Sequence, residues 1–96
     1  MRVTQIIWLP EIEDKLIRKH HLSVLEVEEV LYGDPQIRFV EKGHREDEDM
    51  YVAYGQTEEG RYIVVYFILK HDNAALMISA RDMDRKEQRL YERRKN

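Results

Sequence analysis

Arg81 and Glu87 raise the first chemical question in this 96-residue chain. Arg81 ends an apolar run with strand-like alternation, in which Leu76, Ile78 and Ala80 point to one face and Met77, Ser79 and Arg81 to the other. Glu87 lies four residues after Met83 and four before Tyr91, on the inward stripe of a C-terminal helix. A carboxylate facing packed protein needs a cation or takes up a proton, and Arg81 is the nearest candidate in the pattern. Such a pair either ties helix to sheet or serves catalysis. Arg85, Lys86, Arg89 and Arg93 follow helical spacing and form a basic stripe adjoining Arg81; such stripes usually only solvate a helix. His20 follows Ile12 and Leu16 at four-residue intervals, so it falls on an inner helical stripe. There it is either a core histidine bonded to backbone or a group that meets substrate.

Other chemistries find no support. The chain has no cysteine, which excludes disulfides, thiolate metal sites and a cysteine nucleophile. His20, His21, His44 and His71 show no metal-ligand spacing, so no metal is expected, and no cofactor. The four glycines build no phosphate-cradling loop, and Ser79 lacks the setting of a nucleophile elbow.

These residues need a scaffold, and the stretch from Arg61 to Arg81 reads as its centre: a long β-hairpin turning at His71-Asp72-Asn73. Tyr62 to Leu69 carries no charge, as expected of a middle strand covered on both faces. Val3 to Trp8 reads as a short strand, and Pro10 starts a helix running to His20. Ser23 and Glu26 form a capping box for a second helix, with Leu22 placed to staple against Val27 and with Val24, Val27, Val30 and Leu31 inward. Gly33 in a left-handed conformation, followed by Asp34-Pro35, is expected to end it. Gln36 to Glu41 and Met50 to Tyr54 read as strands, and a helix starts at Asp82 or Asp84 and ends near Arg94. The expected fold is α+β: an antiparallel sheet of four to five strands, two N-terminal helices on one face and a C-terminal helix.

One domain, residues 1–96, accounts for the length. No signal peptide or membrane-length apolar run is read, so a soluble, cytoplasmic protein is expected. The net charge of -3 conceals an asymmetry: residues 81–96 hold seven Lys or Arg against four Asp or Glu, leaving -6 on the other 80 residues. The run Glu46-Asp47-Glu48-Asp49 marks a solvated loop, which could also fold over the basic patch in place of phosphate.

The order of elements, Arg18-Lys19-His20 before Ser23, the turn Gly55 to Gly60-Arg61, and Ile78-Ser79-Ala80-Arg81 with downstream Glu87 and Tyr91 resemble the BrnT family of type II toxins. The resemblance spans nearly the whole chain. It implies a RelE-like endoribonuclease of a toxin-antitoxin system, held inactive by a cognate DNA-binding antitoxin, through which homo-oligomers can also form. The departures are His21, where the family commonly has Gly, and a net acidic charge where these toxins tend to be basic.

Metal-independent RNA cleavage would use the ribose 2'-hydroxyl as nucleophile, a base, a cation at the phosphorane and an acid for the leaving oxygen. Under this resemblance Arg81 is the phosphate clamp, Glu87 or His20 the base, and Tyr91 or Lys86 the donor. Arg61, Arg85, Lys86, Arg89 and Arg93 would bind substrate. The alternative is a non-catalytic RNA- or protein-binding module in which Arg81 and Glu87 are purely structural.

Overall fold

The structure, a computed structural model, describes residues 1–95. In chain order the elements are β1 (Gln5–Ile7), α1 (Pro10–His20), α2 (Val24–Tyr32), β2 (Gln36–Glu41), β3 (Met50–Gln56), β4 (Tyr62–Leu69), β5 (Ala74–Asp82) and α3 (Arg85–Arg94). They form an α+β fold around one five-stranded sheet of order β1-β5-β4-β3-β2. The uncharged strand β4 is the middle one, as its composition requires. β2 to β5 pair antiparallel, whereas β1 joins β5 in parallel, so the sheet is mixed rather than wholly antiparallel. A parallel partner needs a long crossover, and here the chain from β1 to β5 includes both early helices.

Period-two alternation sorts the strand residues onto two faces. Ile63, Val65 and Phe67 point to one face of β4 and meet Leu16, Leu22, Val27, Val30 and Leu31 from α1, α2 and the link between them. Val64 points to the other face, with Val52, and there meets Met83 and Tyr91 of the C-terminal segment. Gly55 lets α2 approach β3 closely: a Cβ there would lie 2.7 Å from Val30 Cγ1.

Strict alternation does not hold along β5. The register shifts between Tyr66–Ser79 and Phe67–Met77, leaving Ile78 as the extra residue of a bulge. Met77 and Ala80 therefore share the α1/α2 core, although simple alternation sets them on opposite faces. Beyond the bulge Arg81 pairs in register with Val64 and lies on the α3 face.

The helix ends follow local chemistry. Pro10 opens α1, and both capping boxes are present: Ser23 with Glu26 at α2, and Asp84 with Glu87 at α3. His21 occupies the left-handed position after α1 (φ 52°), and its N–H donates to the Ile17 carbonyl at 3.1 Å. Gly33 is not left-handed (φ -80°, ψ -133°). A glycine fits there because a Cβ would stand 2.7 Å from the Glu29 carbonyl oxygen.

Among the described residues no helix is long and apolar enough to cross a membrane.

Candidate active site

Two rows of cross-strand partners carry the site on the α3 face of the sheet. Gln36, Tyr54, Val64 and Arg81 form the first; Arg38, Val52, Tyr66 and Ser79 form the second. The Asp84 cap starts α3 immediately after β5, and this places Glu87, the third residue of the helix, above Arg81.

The Arg81 guanidinium and the Glu87 carboxylate meet side by side: Nη1 donates to Oε1 at 2.7 Å and Nη2 to Oε2 at 2.8 Å. Arg81 Nη2 also donates to the Tyr66 hydroxyl at 3.2 Å, and Nη1 to the Asp82 carbonyl at 3.2 Å. The guanidinium carbon lies 5.9 Å from the Tyr66 ring centre. Glu87 Oε1 additionally accepts the Asp84 N–H at 2.9 Å, so only Oε2 depends on Arg81 alone. Arg81 holds Glu87 below the usual carboxylate range, against the opposing effect of burial, and Glu87 in turn raises Arg81. At neutral pH the pair is fully ionised. The Arg81 side chain is still 37 % exposed, against 19 % for Glu87, so the cation is the member that a ligand can reach.

Tyr66 was absent from the residues expected at this site, as were Tyr54 and Arg38. Arg38 lies 5.8 Å from the centre of the Tyr54 ring. Burial raises the Tyr54 phenol, with the Glu87 charge adding to the effect. A signal for Tyr66 exists in the alternation of β4, which puts Tyr62, Val64 and Tyr66 on one face. The missing information was the register, because the Ile78 bulge decides which β5 residue lies opposite.

The other expected site residues separate into distinct places. Arg85, Lys86, Arg89 and Arg93 are exposed along α3, and among the described residues none forms an ion pair. Tyr91 is buried against Val52, Val64 and Met83, with its ring edge-on to Tyr62 at 6.0 Å, and has no hydrogen bond to Arg81 or Glu87.

Arg61 and His20 belong to a second network, at the junction of α1, α2 and β5. Arg61 Nε and Nη2 donate to the two Asp82 oxygens at 2.7 and 3.0 Å. Nη2 also donates to the His20 carbonyl at 3.0 Å. Nη1 donates to the His21 carbonyl at 2.8 Å and to Glu26 Oε2 at 3.2 Å. With a longer contact from Nη1 to Glu26 Oε1 at 3.4 Å, these partners engage all the N–H groups of the guanidinium. The His20 ring is half-buried near Asp82 and shares no hydrogen bond with the Arg81–Glu87 pair.

The acidic loop lies at the opposite end of the sheet. Asp47 pairs with His71 Nε2 at 2.6 Å, and the Asp49 carbonyl accepts the Leu69 N–H. Met50 pairs with Ile68, whereas Asp82 pairs with Ile63, so the loop and the Arg81 end are five residues apart along β4. That is roughly 17 Å at about 3.4 Å per residue, and the loop does not cover the basic patch.

A family model described as ribonuclease toxin, BrnT, of type II toxin-antitoxin system matches residues 8–87. No curated protein matches the chain.

Proposed function

Because the chain belongs to the BrnT family of ribonuclease toxins of type II toxin-antitoxin systems, we propose that it cleaves RNA by attack of a ribose 2'-hydroxyl on the adjacent phosphate, with Arg81 as clamp. Family membership implies an antitoxin partner and an RNA target. The observation that carries the mechanism is the Arg81–Glu87–Tyr66 constellation on a strand end beside an unpaired basic helix stripe.

The incoming phosphate takes the Arg81 edge that Glu87 Oε2 occupies at rest. Phosphate suits this exchange because it offers a guanidinium the same two-point geometry as a carboxylate. Oε1 stays on the Asp84 N–H, so Glu87 keeps its place in the helix cap. Its released oxygen loses the cation that held its pKa down and becomes a better base. It accepts the 2'-hydroxyl proton as the O2'–P bond forms and the P–O5' bond breaks. Arg81 stabilises the charge gathering on the phosphorane. The Tyr66 hydroxyl accepts from Arg81, and its own proton is directed to the leaving 5'-oxygen. The products are a 2',3'-cyclic phosphate and a free 5'-hydroxyl, and no atom outside RNA and protein enters the balance.

Among the remaining expected residues, we assign Arg85, Lys86, Arg89 and Arg93 to attraction of the RNA backbone, since they are exposed and unpaired. Tyr91 anchors α3, while Arg61 and His20 belong to the scaffold. The antitoxin, proposed to be DNA-binding, silences the toxin by covering the same basic stripe and the Arg81 end of β5. Homo-oligomers would then form through the antitoxin.

Purified protein incubated with RNA in the presence of a chelator tests this directly. Cleavage to cyclic-phosphate ends, abolished by Arg81→Ala, is expected. Intact RNA at all protein concentrations would favour a non-catalytic binding module, in which the closed Arg81–Glu87 pair only ties helix to sheet.

A further inference from the structure

The α3 helix covers only part of its sheet face. Met83, just before the helix, and Tyr91 within it meet Val64 and Val52, with Tyr54, Tyr62 and the half-buried Tyr66 packed around them. Further along the strands, Tyr66 and Ser79 of the second row are half-buried and Arg38 is exposed. Beyond them Met50, Ile68 and Leu76 are half-buried on the same face. Among the described residues no other helix packs on this face, because α1 and α2 both lie on the opposite one. The sheet thus presents an aromatic and apolar floor bounded by Arg38 on β2 and Arg81 on β5, with Tyr54 and Tyr66 between them.

We propose that this floor is a platform for unpaired nucleobases, which makes the substrate single-stranded RNA and places a base on Tyr66 beside the phosphate held by Arg81. This rests on the ribonuclease reading above and names its substrate class. The chemistry of the floor fits bases better than a protein face. Its two cations each stand over a tyrosine ring at 5.8 and 5.9 Å, so stacking surface and phosphate partner alternate across the strands. A protein partner of comparable area would find little to pair with the two arginines except acids. Single-stranded RNA supplies a flat apolar face and a charge at every nucleotide. Paired bases keep their faces inside the helix, so a duplex cannot use the floor. Arg38 to Arg81 spans β2 to β5, three strand spacings or about 14 Å, enough for a short run of nucleotides.

The test uses a ten-nucleotide RNA with 2'-O-methyl groups throughout, which binds without being cut, and the same sequence annealed as a duplex. Binding to the full chain is followed by fluorescence anisotropy, and cleavage is measured separately on the unmodified strand. Tyr66→Leu should weaken single-strand binding about tenfold, as expected for the loss of one stacked base. Tyr66→Phe, which keeps the ring, should bind within about twofold of the native chain while cleaving more slowly. Arg38→Gln should weaken single-strand binding and lower the salt dependence by about one counterion. If Tyr66→Leu does not fold, Arg38→Gln carries the test, since that side chain is exposed. The duplex should bind more weakly than the single strand and respond to neither substitution. Unchanged single-strand binding in both Tyr66→Leu and Arg38→Gln overturns the platform, and native cleavage by Arg38→Gln then leaves the ribonuclease reading standing. If those substitutions instead release a co-purifying protein partner while RNA binding persists, the face is a protein interface and the proposal is wrong. A native chain that neither binds nor cuts the single strand removes the ribonuclease reading as well.

Discussion

Arg61→Ala should cost stability and spare the RNA chemistry, the reverse of what a substrate-binding arginine would do. The side chain is 28 % exposed and joins the end of α1, the start of α2 and the end of β5. Removing it leaves Glu26, 26 % exposed, without its cation and strands the carbonyls of His20 and His21. A hydrogen bond to a charged group contributes about 1.5–3 kcal/mol, and water reaching this half-open site places the Glu26 and carbonyl contacts together near about 2 kcal/mol. Asp82 is 58 % exposed, so its arm is screened and adds at most about 1 kcal/mol. The sum is about 3 kcal/mol, or a fall of roughly 12–24 °C in melting temperature for a domain of this size. Arg61→Lys keeps a charge but not the planar five-donor fork, and it should recover less than half of the loss. Thermal melts by circular dichroism give the stability, and RNA affinity is measured on the folded fraction well below the melt. A variant that melts like the native chain but binds RNA tenfold more weakly would refute the scaffold assignment and make Arg61 a substrate contact.

Glu87→Gln retains an acceptor for the Asp84 N–H, so it should fold with a loss of about 1–2 kcal/mol while cleaving at least a hundredfold more slowly; native cleavage by this variant would remove Glu87 as base. Acid should destabilise the fold in a narrow window. Glu26, Asp82 and Glu87 are all held below their ordinary values of 4.5, 3.8 and 4.5, so the stability they supply is complete above those values and disappears as pH falls through their lower folded ones. Melting temperature should be flat from neutrality to about pH 5 and fall below about pH 4, less steeply in Arg61→Ala. His21→Gly should stabilise by up to about 1 kcal/mol, because glycine adopts the left-handed cap without the Cβ strain; a lower melting temperature would mean that the imidazole makes a contribution exceeding that strain.

Elements with a strong local code were legible in the sequence. The Ser23–Glu26 box marks the start of α2 by neighbouring residues alone and is present, and of the two starts open for the last helix, Asp82 and Asp84, the structure takes Asp84, the one with Glu87 in box position. The uncharged run of β4 gives its central place in the sheet. Facts that depend on distant residues were less accessible. The parallel pairing of β1 with β5 joins residues 69 apart and leaves no trace in local pattern. The bulge at Ile78 moves Met77 and Leu76 to the faces opposite those expected, with no Gly or Pro to announce it, while Ala80 and Arg81 keep theirs. The Arg81–Glu87 pair was legible because one strand end and one helix turn lie six residues apart. Tyr66 and Arg38 required the register of four strands. Arg61 looked like a substrate cation because nothing near it in sequence reveals Glu26, and Asp82 is 21 residues away.

The most direct measurement is the rate of RNA cleavage by purified Arg81→Ala, alongside its melting curve and that of the native chain. Arg81 is 37 % exposed and Glu87 keeps the Asp84 N–H when the guanidinium is lost, so removing Arg81 with its Glu87, Tyr66 and Asp82 contacts should lower stability by about 2 kcal/mol, leaving the protein folded at room temperature. Its loss from the phosphorane should slow cleavage by a thousandfold or more. Cleavage at the native rate by folded Arg81→Ala would contradict the account.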